Sequence, residues 1–140
     1  MRRLLVLAAM SLVLTAVGCS DSTAPQNALS GSYTLRSIQG NQTSPWVIYQ
    51  DPSYKEEVLS STIAIDPNGN FTTTTLLRDT YTGSPSTTYT DQFSGYWTLT
   101  GNQLTLTDTS GQPPYTYYAT VSGNTITISD PSVGVQVYSK

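Results

Sequence analysis

The sequence predicts an all-β domain, an eight-stranded antiparallel up-and-down (meander) barrel, and three observations carry that expectation. Charged residues make up only 11% of the chain, less than half of the roughly 25% usual in globular proteins. Hydroxyls take their place: from Cys19 onward there are 22 Thr and 17 Ser. Thr, together with the ten Tyr, two Trp and two Phe, favours a half-exposed pleated surface. The second observation is that strand-like runs alternate with Gly, Pro and Asn clusters at short spacing from Gly31 to the end, the pattern of a sandwich or barrel. The third is a repeated hairpin. A disordered Ser/Thr linker would instead show few aromatics and no period.

The chain opens with Arg2 and Arg3 and then a 14-residue run, Leu4 to Val17, interrupted only by Ser11 and Thr15. A charged segment before a run this short fits a secretory signal over residues 1–18, since a spanning helix needs about 20 apolar residues. Residues 19–30 end in SDSTAPQNALS, without hydrophobic period and with Pro25, and read as a flexible tether. The folded domain is expected over 31–140.

Strands are expected over 31–39, 56–66, 70–81, 86–100, 103–109, 115–122, 125–130 and 133–139. The prolines at 45, 52, 67, 85, 113, 114 and 131 fall between or before them, as a sheet requires of residues that cannot donate to its ladder. The segment between the first two expected strands reads as a long connection, and no segment has a convincing 3.6-residue period, the nearest candidate, Tyr54 to Leu59, being at most a turn. In the second and third expected strands, STIAIDPNGNFTTTT turns at Pro67 to Asn70 and directs Ile63, Ile65, Phe71 and Leu77 inward. Residues 97–108 (WTLTGNQLTLTD) and 119–130 (ATVSGNTITISD) are copies of one hairpin with a Gly-Asn turn. Gly supplies the positive φ of a primed turn at the first position and Asn tolerates it at the second. One face collects Trp97, Leu99, Leu104 and Leu106 in the first copy and Ala119, Val121, Ile126 and Ile128 in the second. Two copies are too few for a solenoid. Consecutive hairpins form a meander; closing it removes the edges, and eight strands make a barrel either filled by side chains or holding one small ligand.

Composition removes whole classes of function. The chain has no His, and Cys19 is its only Cys; imidazole bases, Cys-His and Ser-His-Asp systems and metal sites built on nitrogen or sulfur have no ligands to use. From Cys19 on, four Lys and Arg face nine Asp and Glu, 4 − 9 = −5, which leaves no basic stripe for nucleic acid. Asp66 to Asn70 has the look of a calcium loop, but Phe71 and Leu77 stand where Gly and Glu belong, so it is a plain turn. Glu56 and Glu57 are adjacent on a strand and face opposite sides. Asp79 and Asp91, on neighbouring strands, are the one carboxylate pair that could approach as glycosidase acids do. No cofactor, metal site or catalytic residue is expected.

The aromatics point to a cavity. Tyr89, Phe93 and Trp97 share one parity, Tyr115 and Tyr117 another, and Trp46 and Tyr49 lie in the long connection. With Phe71 and Leu77 added, the candidate lining is Trp46, Phe71, Leu77, Tyr89, Phe93, Trp97 and Tyr117. The same residues could equally fill a solid core.

Two resemblances bear on function. Ala16-Val17-Gly18-Cys19 resembles the lipobox of bacterial lipoproteins, which implies that Cys19 becomes the lipidated N-terminus, with a thioether-linked diacylglycerol and an amide-linked acyl chain such as palmitate. Two or three chains anchor a protein stably where one does not. Ser20 stands where Asp is the usual inner-membrane retention signal, which implies the outer membrane, on its periplasmic or surface face. The domain resembles the lipocalin-like proteins of the calycin group through Gly31-Ser32-Tyr33 in the place of Gly-x-Trp, the long connection after the first strand, the Asn-Gly turn into Phe71, and the closing Val137-Tyr138-Ser139-Lys140. That resemblance implies a non-catalytic barrel binding a small hydrophobic or amphipathic ligand. A solidly packed barrel would instead suit an envelope protein-protein interaction, inhibitor or structural module. Ligand, protein partner and oligomeric state are not legible.

Overall fold

The computed structural model describes residues 28–140, so the leader, Cys19 and most of the tether lie outside the described residues. The described chain forms β1 (Gly31–Ile38), β2 (Trp46–Gln50), β3 (Tyr54–Ile65), β4 (Asn70–Tyr81), β5 (Thr87–Thr100), β6 (Gln103–Asp108), β7 (Tyr115–Ser122), β8 (Thr125–Asp130) and β9 (Gly134–Ser139). All pairings are antiparallel, in the order β1-β9-β8-β7-β6-β5-β4-β3-β2, and β1 also pairs with β3. That last pairing, Gly31 with Ile65 through Thr34 with Thr62, closes eight strands into a barrel.

The expected strands are present with ends shifted by up to two residues, and there is one addition. The connection after β1 is not a plain loop: residues 46–50 form β2, which pairs with the first half of β3, Trp46 opposite Val58 and Gln50 opposite Lys55. The next strand begins two residues earlier than expected, at Tyr54, so Tyr54 to Leu59 is strand throughout, without a helical turn. Both departures have one cause. β1 leaves β3 after Thr34, and β2 takes the edge it vacates; a register shift between Val47 and Tyr49 hides the alternation that would have marked the strand.

Alternation of buried and exposed residues builds the core. Tyr33, Ile63, Ile65, Phe71, Trp97, Leu104, Leu106, Ala119, Ile126 and Ile128 are all buried, and the two hairpin copies pair Trp97 with Leu106, Leu99 with Leu104, Ala119 with Ile128 and Val121 with Ile126. Gly101 and Gly123 carry φ of +62° and +56°. Asn102 and Asn124 do not: Gln39 is the only non-glycine with positive φ among the described residues. The turns therefore need glycine only at their first position.

The barrel has a closed and an open end. At the closed end Leu29 is buried and Tyr33, the residue in the Gly-x-Trp position, is fully buried and donates its hydroxyl to the Leu29 carbonyl at 2.6 Å. Lys140 Nζ lies 4.9 Å from the Tyr33 ring centroid and donates to the Ala28 and Ser30 carbonyls at 3.0 and 2.7 Å. The Trp97 indole N–H donates to the Asp66 carbonyl at 2.9 Å. These bonds fasten the start and end of the described chain over one end of the core.

Candidate functional site

Inward side chains change in character along each strand. Toward the closed end they are bulky; toward the other end β4 carries Thr73 and Thr75 inward, and the space they leave opens into a cavity of about 230 Å³. Its walls include Ile48, Val58, Ile63, Leu77, Phe93, Leu106, Tyr117, Ile128 and Val133, with Glu56, Asp91, Asp130 and Gln136 among the polar residues. A volume just under the ~300 Å³ at which ordinary ligand sites begin suits a small molecule or one end of a longer one.

One wall is aromatic. Phe93 stacks on Tyr117 with centroids 5.5 Å apart, meets Phe71 edge-on at 6.2 Å, and Tyr117 meets Tyr115 edge-on at 4.7 Å. Another carries hydroxyls: Ser61 bonds Thr75 at 2.8 Å and the Tyr138 hydroxyl at 3.2 Å, and Tyr138 donates to Gln136 Oε1 at 3.0 Å. Among the described residues no buried side-chain polar atom lacks a partner. The wall is thus polar in places without being strained.

The seven candidate residues divide by position. Leu77, Phe93 and Tyr117 line the cavity. Phe71 and Trp97 are buried toward the closed end and Trp46 is buried on β2, its indole N–H donating to the Asn41 carbonyl at 2.7 Å; none of the three is in the lining. Tyr89 shares the inward parity but sits at the rim, 40% exposed, where its hydroxyl donates to Glu56 Oε1 at 3.1 Å. Reasoning from apolar parity missed Glu56, Asp91, Asp130, Thr73 and Thr75. The signal was available: Asp91 lies on the parity of Tyr89 and Phe93, Asp130 on that of Ile126 and Ile128, and Glu56 on that of Val58.

Carboxylates elsewhere do not form an acid/base pair. Asp79 is opposite Thr87 and Asp91 opposite Thr75, four residues apart along the ladder, or about 13 Å at the rise of a strand. That exceeds the spacing of glycosidase carboxylates, and Asp79 already accepts the Tyr54 hydroxyl at 2.8 Å. Asp66 binds its own turn, accepting the Asn68 amide at 2.7 Å. Glu57 faces outward and is buried between Arg78 and Lys55, at 2.8 and 3.0 Å; the Arg78 bond holds its carboxyl below the usual range against the cost of burial. No group of three or more His, Cys, Asp or Glu among the described residues could hold a metal ion. The site offers a shaped, partly apolar space with carboxylates at its mouth.

Burial and the neighbouring acids together raise the tyrosines of this end. Tyr89 and Tyr117 are each pushed up to about 12, by burial first and then, for Tyr89, by its bond to Glu56, for Tyr117 by the charges of Asp108 and Asp130. Both are neutral hydroxyls across the physiological range.

A family model described as a lipocalin-like domain matches residues 29–128, from the buried Leu29 into β8. No curated protein matches the chain.

Proposed function

Because this chain belongs to the lipocalin-like domain family, a barrel type capable of holding a small molecule, we propose that it is a membrane-anchored binding protein that takes a small amphipathic ligand into the open end of its barrel. The cavity between Leu77, Phe93, Tyr117 and Ile128 is the observation that carries the reading. A packed barrel would have filled that space with larger residues than Thr73 and Thr75. Burying about 200 Å² of ligand surface contributes roughly 5 kcal/mol at 25 cal/mol per Å². After orientation losses, affinities on the order of micromolar to millimolar follow.

Anchoring rests on Cys19 and its lipobox-like setting, and the fold gives it a consequence. Ala28 and Leu29 sit at the closed end, under Lys140, so a tether from Cys19 joins the domain at the end away from the cavity mouth. The placement is extracytoplasmic, on the outer membrane where there is one.

Calorimetric titration with small neutral alcohols and aromatics tests the binding. Saturable heats are expected for the native protein and their loss in Thr75→Phe, which fills the mouth while the far-ultraviolet spectrum stays that of a β-protein. No saturable response from the native protein across the panel would contradict the reading and favour a partner-binding barrel.

A further inference from the structure

We propose that the ligand of this cavity is a small organic cation, an ammonium group on a short apolar body; the inference rests on the cavity being a ligand site. Three carboxylates line it: Glu56 on β3, Asp91 on β5 and Asp130 at the end of β8. Glu56 and Asp91 flank β4 on one side of the barrel, and Asp130, on β8, faces them from the opposite side. None has a protein cation to neutralise it, because all four Lys and Arg of the described residues are engaged elsewhere. Lys55 and Arg78 bind Glu57 on the outer face, Arg36 donates to Ser139 Oγ at 2.9 Å, and Lys140 is fixed at the closed end.

The partners of the three carboxylates leave capacity for a guest. Glu56 accepts only the Tyr89 hydroxyl. Asp130 uses Oδ1 on the Ser132 and Val133 amides, and its other oxygen takes no bond. Asp91 forms no hydrogen bond or ion pair among the described residues and stands exposed at the rim. Independently of the acids, the stacked Phe93 and Tyr117 rings provide the aromatic face on which a cation is attracted by the ring quadrupole. Beneath them the lining is aliphatic. Acid rim, aromatic wall and apolar floor are complementary to an ammonium head and a hydrocarbon or aryl body, and they oppose a carboxylate head such as that of a fatty acid. The cavity holds the volume of about eight waters at ~30 Å³ each, which limits the guest to on the order of ten non-hydrogen atoms.

The test compares octylammonium, octan-1-ol and octanoate, which share a chain and differ in head charge, by calorimetry with the full chain at low salt. The expected result is octylammonium at least tenfold tighter than octanol, octanoate weakest, and the ammonium's advantage shrinking as salt is added. In Glu56→Gln/Asp91→Asn the ammonium-to-alcohol ratio should fall toward one. Octanol or octanoate binding as tightly as the ammonium, or an undiminished ratio in the double variant, would overturn the cation assignment and leave the cavity reading standing. Failure of all three to bind saturably would overturn both.

Discussion

Gly95 lies on the inward parity between Phe93 and Trp97, and its missing side chain is a matter of backbone space. A Cβ there would fall 1.8 Å from the Thr107 carbonyl oxygen on β6, although its own φ is ordinary. The bare backbone lets β6 close in at this point. Gly101 is the opposite case, with open space around it and φ of +62°. Gly95→Ala should therefore destabilise by about 3 kcal/mol through forced backbone movement, and Gly101→Ala by about 1 kcal/mol through left-handed strain alone. Urea unfolding of the two variants checks this, and equal losses would mean that Gly95 is not pinched between strands. Each glycine is visible in the sequence, yet only the second announces its role, because turn chemistry is local and a clash with Thr107 depends on pairing twelve residues away.

At the scale of the element, β2 and the first half of β3 are where sequence and structure part. β2 reads Trp-Val-Ile-Tyr-Gln, apolar without alternation, and the bulge between Val47 and Tyr49 breaks its period. Tyr54 to Val58 puts Glu56 inward and Glu57 outward but buried, the reverse of what polarity suggests. The sequence pattern was most readable in β4, β7 and β8, whose observed limits coincide with those expected, because turn residues bound them: Gly69 before β4, Pro114 and Gly123 on either side of β7, Asn124 and Pro131 on either side of β8. Glu57 holds β3 to its neighbour through Arg78, directly opposite on β4. Arg78→Leu leaves a buried carboxylate with only Lys55, at a cost of about 2 kcal/mol, less than the 3–5 of a wholly buried pair because the arginine is one-third exposed. Since the Glu57 carboxyl is held below its ordinary value of 4.5, its contribution is complete above that pH and is lost as pH falls through the lower, folded value. The stability difference between native protein and Arg78→Leu should accordingly shrink on acidification below the ordinary 4.5, by thermal unfolding across a pH series. A difference that grew with acid would contradict this ion pair.

For the whole molecule, the organising asymmetry is one end tied shut by Tyr33, Trp97 and Lys140 and the other opened by Thr73 and Thr75. The barrel itself was legible from repeat and period. The division between cavity and core was not, since Phe71, Phe93 and Trp97 share an inward direction and only their height in the barrel separates lining from floor. Nor did the acids at the mouth declare themselves, because a carboxylate near a strand end ordinarily reads as solvated. If Cys19 is lipidated as proposed, Cys19→Ala should move the protein from the membrane fraction to the soluble fraction with its melting temperature unchanged. Equal membrane retention would count against the anchor.

The central claim is that the open end of the barrel receives a small molecule, and an amide-resolved NMR titration with octylammonium tests it most directly. Saturable shifts are predicted to concentrate on the residues around the cavity, those near Glu56 and Val58, Thr73 to Leu77, Asp91 to Phe93, Tyr117 and Ile128 to Tyr138, while Tyr33, Trp97 and Leu104 at the closed end stay still. Shifts confined to the outer face or the β2 edge, or none that saturate, would contradict the account.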